Sequence, residues 1–217
     1  MDTTLAAAKM NRQYRFQRHI YDHTRTHYLL WRRRLIAELK PPAGSSVVEV
    51  ACGTGWNLLR AAATYPKAQF YGLDISSEML ATAAAAITRG GLGARIHLAE
   101  GDATTFDLKA LFGIATADRI FISYALSMIP NWPQAVERAA SALTPGGELH
   151  IVDFGTLDGL PSAPRAAFRR FLAHYTVTPR RDLEGVCAEI AQRRGLQCVF
   201  ETSPRQYCSR VTIKRAA

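Results

Sequence analysis

The chain has no run of about 18 apolar residues, so no segment is expected to cross a bilayer as a helix. Its N-terminus shows no apolar stretch behind a basic patch, and no secretory signal is expected. Cysteine is scarce. Cys52, Cys187, Cys198 and Cys208 show no metal-ligand spacing, so no metal is expected, and a reducing, cytoplasmic compartment is the simplest setting. There is no internal repeat and no low-complexity linker; 217 residues suit one domain with ample core. Acidic residues are also short: 18 Asp and Glu face 27 Lys and Arg, a formal net charge of +9. That excess is high for an enzyme of small molecules and points to an anionic partner, either nucleic acid or an anionic membrane surface. The imbalance is local. Lys9, Arg12, Arg15, Arg18, Arg25, Arg32, Arg33 and Arg34 crowd the N-terminal arm, where Asp22 and Glu38 are almost the only opposing charges past Asp2. Arg165, Arg169, Arg170, Arg180 and Arg181 form a second set.

What is present is a glycine loop between a strand pattern and a helix pattern. The apolar run from Ser46 to Val50 leads into Ala51-Cys52-Gly53-Thr54-Gly55, and a helical pattern starts at Trp56-Asn57. Gly53 and Gly55 let backbone approach a ligand where a Cβ would block it. A second apolar run, Ala68 to Leu73, ends at Asp74, placed to accept both hydroxyls of a ribose. Glu49 opens the loop motif. A carboxylate repels a pyrophosphate but favours the ammonium of a methionine moiety, which argues against a nicotinamide dinucleotide.

Strands are predicted at 46–51, 68–73, 94–99, 118–124 and 148–154, alternating with helices at 56–65, 76–89 and 131–142. This alternation predicts an α/β fold with a parallel sheet covered on both faces. Residues 9–40 read as helical, ended by Pro41-Pro42. An insertion, 158–181, carries a basic amphipathic stretch from Ala163 to Tyr175, and a helix at 182–194 with strands at 196–202 and 206–213 closes the sheet. The domains are expected to be an N-terminal basic helical arm, 1–43, and a cofactor-binding unit, 44–217.

The pattern Glu49-x-Ala51-x-Gly53-x-Gly55 resembles motif I of the class I S-adenosylmethionine-dependent methyltransferases. The departure is Ala51, where the family has its first glycine; a methyl group there is tolerable if the position is strand-like. Ala99-Glu100-Gly101-Asp102-Ala103 is similar to the family's adenine-binding segment, and Leu143-Thr144-Pro145-Gly146-Gly147 to its Leu-x-Pro-Gly-Gly turn. The resemblance implies a Rossmann-like, seven-stranded, mostly parallel sheet whose last strand is antiparallel, with an N-terminal helical lid. It implies S-adenosylmethionine as cofactor and S-adenosylhomocysteine as product. The cofactor-binding residues would be Glu49, Ala51, Cys52, Gly53, Thr54, Gly55, Asn57, Asp74, Ile75, Met79, Asp102, Ala103 and Ser123, with Tyr21 closing from the lid.

A closer resemblance lies in Ile20-Tyr21-Asp22-His23-Thr24-Arg25 with Tyr28-Leu29-Leu30-Trp31-Arg32, in Phe121-Ile122-Ser123-Tyr124-Ala125-Leu126-Ser127-Met128-Ile129-Pro130, and in Val152-Asp153-Phe154-Gly155. These segments resemble the bacterial betaine-lipid N-methyltransferases, which methylate the amine of diacylglycerylhomoserine three times. That implies an amine-bearing glycerolipid as substrate, Tyr21, Tyr124, Ser123, Tyr28 and Asp153 as catalytic candidates, and a cytoplasmic enzyme peripheral to the inner membrane. The basic arm and residues 163–181 would dock on the anionic surface, each basic residue contributing roughly 1 kcal/mol. Methylation of phosphatidylethanolamine is the alternative headgroup reading. Further alternatives are a non-catalytic cofactor-binding protein of the membrane surface and methylation of a small soluble amine or quinone precursor. An RNA methyltransferase is disfavoured because Ser123-Tyr124-Ala125-Leu126 lacks the Asn/Asp-Pro-Pro-aromatic signature, so no nucleic-acid partner is expected. The proton acceptor stays open among His19, His23, Asp153 and Tyr124, while His150 is expected to pack in the core. The oligomeric state is not legible.

Overall fold

The computed structural model describes residues 28–217. Elements are numbered from the first described one. Helix α1 (Arg32–Glu38) precedes β1 (Ser46–Val50), α2 (Trp56–Thr64), β2 (Gln69–Asp74), α3 (Ser77–Arg89), β3 (Ile96–Glu100), α4 (Leu108–Phe112) and β4 (Ala117–Ser123). Then come α5 (Trp132–Ser141), β5 (Leu143–Phe154), α6 (Ser162–His174), α7 (Leu183–Arg193), β6 (Gln197–Thr202) and β7 (Cys208–Lys214). One seven-stranded sheet runs in the order β3-β2-β1-β4-β5-β7-β6. Strands β1 to β5 pair in parallel, and β7 is antiparallel to both β5 and β6. The strand order reverses between β1 and β4, and it is outside the carboxyl ends of strands at such a reversal that open α/β sheets bind ligands.

Alternation along each strand divides the core in two. Val48, Val50, Ile120, Ile122, Leu149 and Ile151 face α5 and α7 in one apolar layer. Val47, Phe121, Val152 and Phe154 face the other, where Leu35, Ile36 and Leu39 of α1 pack with Leu58, Ala61 and Ala62 of α2. The described part of the N-terminal arm therefore belongs to the core, with Leu35 and Leu39 fully buried. Helix α1 ends at Glu38, before Pro41-Pro42, and Lys40 takes a left-handed turn with φ 35°. Helix α3 starts at a Ser76 cap whose hydroxyl accepts from the Met79 N–H. His150 is buried on β5, and burial lowers its pKa to about 4.

One expectation changes. Helix α4 was not anticipated: five residues make too short a periodic stretch to read, although Asp107 caps it with its carboxylate on two backbone N–H groups. The Leu143-Thr144-Pro145-Gly146-Gly147 segment does turn tightly: Gly146 has φ 74°, and a Cβ on Gly147 would stand 2.8 Å from the Thr144 carbonyl oxygen. It falls within the bounds of β5, whose pairing with β4 passes from Leu143 opposite Ala117 to Glu148 opposite Arg119. The antiparallel β6–β7 pair and the 162–174 helix fall where the pattern predicts them.

Candidate functional site

Residues expected in the site converge on the carboxyl edge of the sheet. The loop after β1 turns sharply. Gly53 and Gly55 have φ of 54° and 75°, and a Cβ on Gly53 would meet no atom within 4 Å, so the loop's backbone faces open space. The same turn corrects the expectation for Ala51. With φ 59° it is left-handed, not strand-like, a conformation in which an L-residue costs about 1–2 kcal/mol.

Glu49 is the next-to-last residue of β1, 1 % exposed, and points at α2. Its Oε1 accepts from Asn57 Nδ2 at 2.6 Å, while its Oε2 is buried with no hydrogen-bond partner among the described residues. Burial pushes the Glu49 carboxyl up to about 8, against the opposing pull of the Asn57 amide and the Arg32 charge. Arg32 Nε donates to Asn57 Oδ1 at 3.0 Å, and its guanidinium lies over the Trp56 ring at 4.0 Å from the centroid. Arg60 stacks on the same ring at 4.3 Å. A buried carboxylate and a guanidinium thus share one amide, a donor set that fits an amino-acid zwitterion. The sequence does not bring Arg32 and Trp56 to this place, because α1 and α2 meet only in the fold.

The carboxylate at the end of β2 is also fixed in place. Asp74 Oδ2 accepts from the Gly53 N–H at 2.7 Å and Oδ1 from the Ser76 N–H at 2.9 Å, which ties the glycine loop to the end of β2. Burial raises its pKa, and these N–H groups oppose the rise. Ile75 follows it half-buried, and Met79 is buried one turn into α3. Asp102 Oδ1 accepts from the Thr104 N–H and hydroxyl, with Ala103 buried beside it. Thr54 is buried in the loop. The Cys52 side chain turns inward, close to where a Cβ on Gly72 would stand, so it faces the core and burial raises its thiol pKa.

The second half of the site lies past β4 and β5. Ser123 ends β4 with its Oγ buried and without a partner among the described residues. Tyr124 follows in a left-handed conformation, φ 53°, and its hydroxyl donates to the Leu30 carbonyl. Burial lifts its pKa well above the ordinary phenol value. Asp153 is fully buried and accepts from the Ser127 and Phe154 N–H groups at 2.9 and 2.7 Å; burial raises its carboxyl to about 6. It holds the loop after β4 in place. Arg180 secures the same loop from outside, donating to the Leu126 and Ile129 carbonyls. Tyr28 lies in the aromatic group around Phe154. Tyr21, His19 and His23 lie outside the described residues.

Residues 47–147 match the family model described as a methyltransferase domain. The demethylmenaquinone methyltransferase of Listeria monocytogenes is 27% identical over 127 residues, 58% of this chain and 52% of the relative. The ubiquinone/menaquinone biosynthesis C-methyltransferase of Syntrophotalea carbinolica is 28% identical over 176 residues, 80% of this chain and 68% of the relative. The chain spans about half the length of the first of these. Among solved structures, phosphoethanolamine N-methyltransferase 2 of Haemonchus contortus, in complex with S-adenosyl-L-methionine, superposes with a TM-score of 0.67. That likeness is at 18% identity and covers 86% of this chain and 52% of that one. Residues 47–147 thus match a methyltransferase domain, and the fold is one shared with S-adenosylmethionine-binding methyltransferases.

Proposed function

We propose that this methyltransferase domain transfers methyl groups to the amine of a glycerolipid, with diacylglycerylhomoserine as substrate and the trimethylated betaine lipid as final product. What supports the reading is the apolar and aromatic cluster around Phe154, at the same carboxyl edge of the sheet as Glu49, Asp74 and the glycine loop. The unpartnered Glu49 oxygen, the Asp74 carboxylate and the open glycine loop fit the cofactor. When bound, S-adenosylmethionine supplies a methyl group activated on a sulfonium.

The chain's own residues do the rest. Glu49 receives the ammonium of the cofactor's amino-acid half, and Arg32 its carboxylate. Asp74 holds the ribose hydroxyls, with Asp102 and the backbone of Ala103 at the base. In the first two rounds Ser123, at the end of β4, accepts a hydrogen bond from the substrate N–H and so turns the nitrogen lone pair toward the methyl. The dimethylamine of the third round has no N–H and is oriented by the aromatic walls alone. Tyr124 and Tyr28 exclude water and face the positive charge. Asp153 acts through the loop it holds. In-line displacement needs this alignment more than it needs a strong base, since the amine loses its proton to solvent before reaction.

The basic cluster after β5 supports a membrane surface. Asp158 is shared by Arg165, Arg169 and Arg181 at 3.5, 3.2 and 4.0 Å, so one carboxylate faces three guanidiniums and the cluster keeps a positive charge. No helix among the described residues is long and apolar enough to cross a membrane. Docking from one side is what such a surface provides.

A second reading has support in the curated relatives, which are named as quinone methyltransferases. An aromatic acceptor site also suits a quinone ring, and the product would then be carbon-methylated. Presenting the purified protein with methyl-labelled cofactor, diacylglycerylhomoserine vesicles and demethylmenaquinone in parallel separates the two. Label on the amine lipid supports the proposal; label on the quinone alone overturns it.

A further inference from the structure

Phe154, buried at the end of β5, is the hub of an aromatic cluster. Tyr124 meets it edge-on at 4.7 Å between centroids, and Tyr28 stacks on it at 6.4 Å. Phe171 of α6 sets its edge to Tyr28 at 5.5 Å and meets Tyr175 at 5.1 Å. These five rings line one narrow cavity together with Leu29, Leu172 and Val177. Among the described residues, no side chain lining it carries a formal charge. Two hydroxyls are engaged with backbone: Tyr124 donates to the Leu30 carbonyl, and Tyr207, behind Phe154, donates to the Tyr28 carbonyl at 2.9 Å. The wall on the core side is thus pinned, and it offers ring surface to an occupant.

We propose that Tyr28, Tyr124, Phe154, Phe171 and Tyr175 form a cage for the methylated ammonium, so that each methyl added raises the headgroup's affinity. The inference rests on the amine-methylating reading and deepens it. A primary ammonium keeps three N–H donors that need acceptors, and among the described residues the cavity lining has no carboxylate to meet them. Each methyl group removes one donor and spreads the charge over carbon. Ring faces attract such a cation through their quadrupoles without hydrogen bonding to it. The cage therefore discriminates by methylation state, and it retains monomethyl and dimethyl intermediates for the next round. Its outer wall is the part that yields to admit a headgroup: α6 buries only Leu172, and Phe171 is 38% exposed.

The test uses the purified full chain with S-adenosylhomocysteine and three soluble probes: choline, its neutral isostere 3,3-dimethylbutan-1-ol, and ethanolamine. Calorimetry or ligand-observed NMR reads their affinities. Choline is expected to bind about tenfold more tightly than either other probe, and Phe171→Leu and Tyr175→Leu to weaken choline by roughly threefold to tenfold. The leucine variants keep an apolar wall, so a loss reports the ring face. The same variants, turning over on amine-lipid vesicles, are expected to release more monomethyl and dimethyl product. The cage is overturned if the neutral isostere binds as well as choline, or if both leucine variants bind choline unchanged. If choline binds as expected while no amine lipid is methylated, the function reading fails and the cage stands as an onium site.

Discussion

Glu49 is the residue whose environment says most about what the chain binds. Its carboxyl, raised by burial from 4.5 to about 8, binds more protons in the folded chain than in the unfolded one between those values. Stability therefore falls as pH rises through that window. Glu49→Gln keeps the shape and removes the charge. The variant should melt above the parent near about pH 8 and with it near about pH 4.5, while losing at least about tenfold in S-adenosylmethionine affinity. A variant that melts below the parent at the alkaline end contradicts the assignment. Arg32 gives a chemical test of its own. Arg32→Gln should weaken S-adenosylmethionine by about tenfold and leave decarboxylated S-adenosylmethionine unchanged; equal losses for both ligands contradict a carboxylate contact. The pattern Glu49-x-Ala51-x-Gly53-x-Gly55 made the carboxylate readable from the chain. Nothing in the order of residues ties Arg32 to Asn57, 25 positions on, because that pairing is made by α1 crossing α2. Ala51 was legible as a departure but not as a left-handed residue. Ala51→Gly should stabilise the chain by up to about 1 kcal/mol, read as a shift in denaturant midpoint.

At the scale of elements, long periodic segments were readable and short or irregular ones were not. The strands β1, β2 and β4 and helices α2, α3 and α5 follow apolar alternation or a 3.6-residue period, and the structure places them within a residue or two of expectation. Helix α4 has five residues and one buried side chain, too little for a period to register. The start of β5 contains Pro145-Gly146-Gly147, which reads as a turn and is one; what the sequence does not show is that Leu143, ahead of it, already pairs with β4. Helix α6 is amphipathic and basic in the sequence, but its aromatic face became meaningful only when β5 brought Phe154 beneath it. It hangs on Leu172 and those rings. Leu172→Ala should therefore cost about 2–5 kcal/mol in anchoring α6. Hydrogen exchange should then show α6 amides opening faster, with those of β1 and β4 unchanged. Equal acceleration in the core strands contradicts a separately mobile wall.

For the whole molecule, the charge of +9 was visible from composition, and its placement on one docking face is an inference from clustering. Arg165, Arg169 and Arg181 gather on Asp158 beside the aromatic wall, an arrangement that the sequence shows only as scattered arginines. Changing Arg165, Arg169, Arg170 and Arg181 to Gln should weaken binding to anionic vesicles by roughly tenfold or more, and most strongly at low salt. Stability should change little, because these exposed pairs contribute at most about 1 kcal/mol each. Unchanged vesicle binding contradicts the docking face. The most direct measurement of the central claim is to incubate the chain with methyl-labelled S-adenosylmethionine and vesicles containing diacylglycerylhomoserine, then resolve the lipids by mass over time. The account predicts mass gains of one, two and finally three methyl groups on that lipid. No methylated homoserine lipid at any time, with the cofactor shown to be bound, would contradict it.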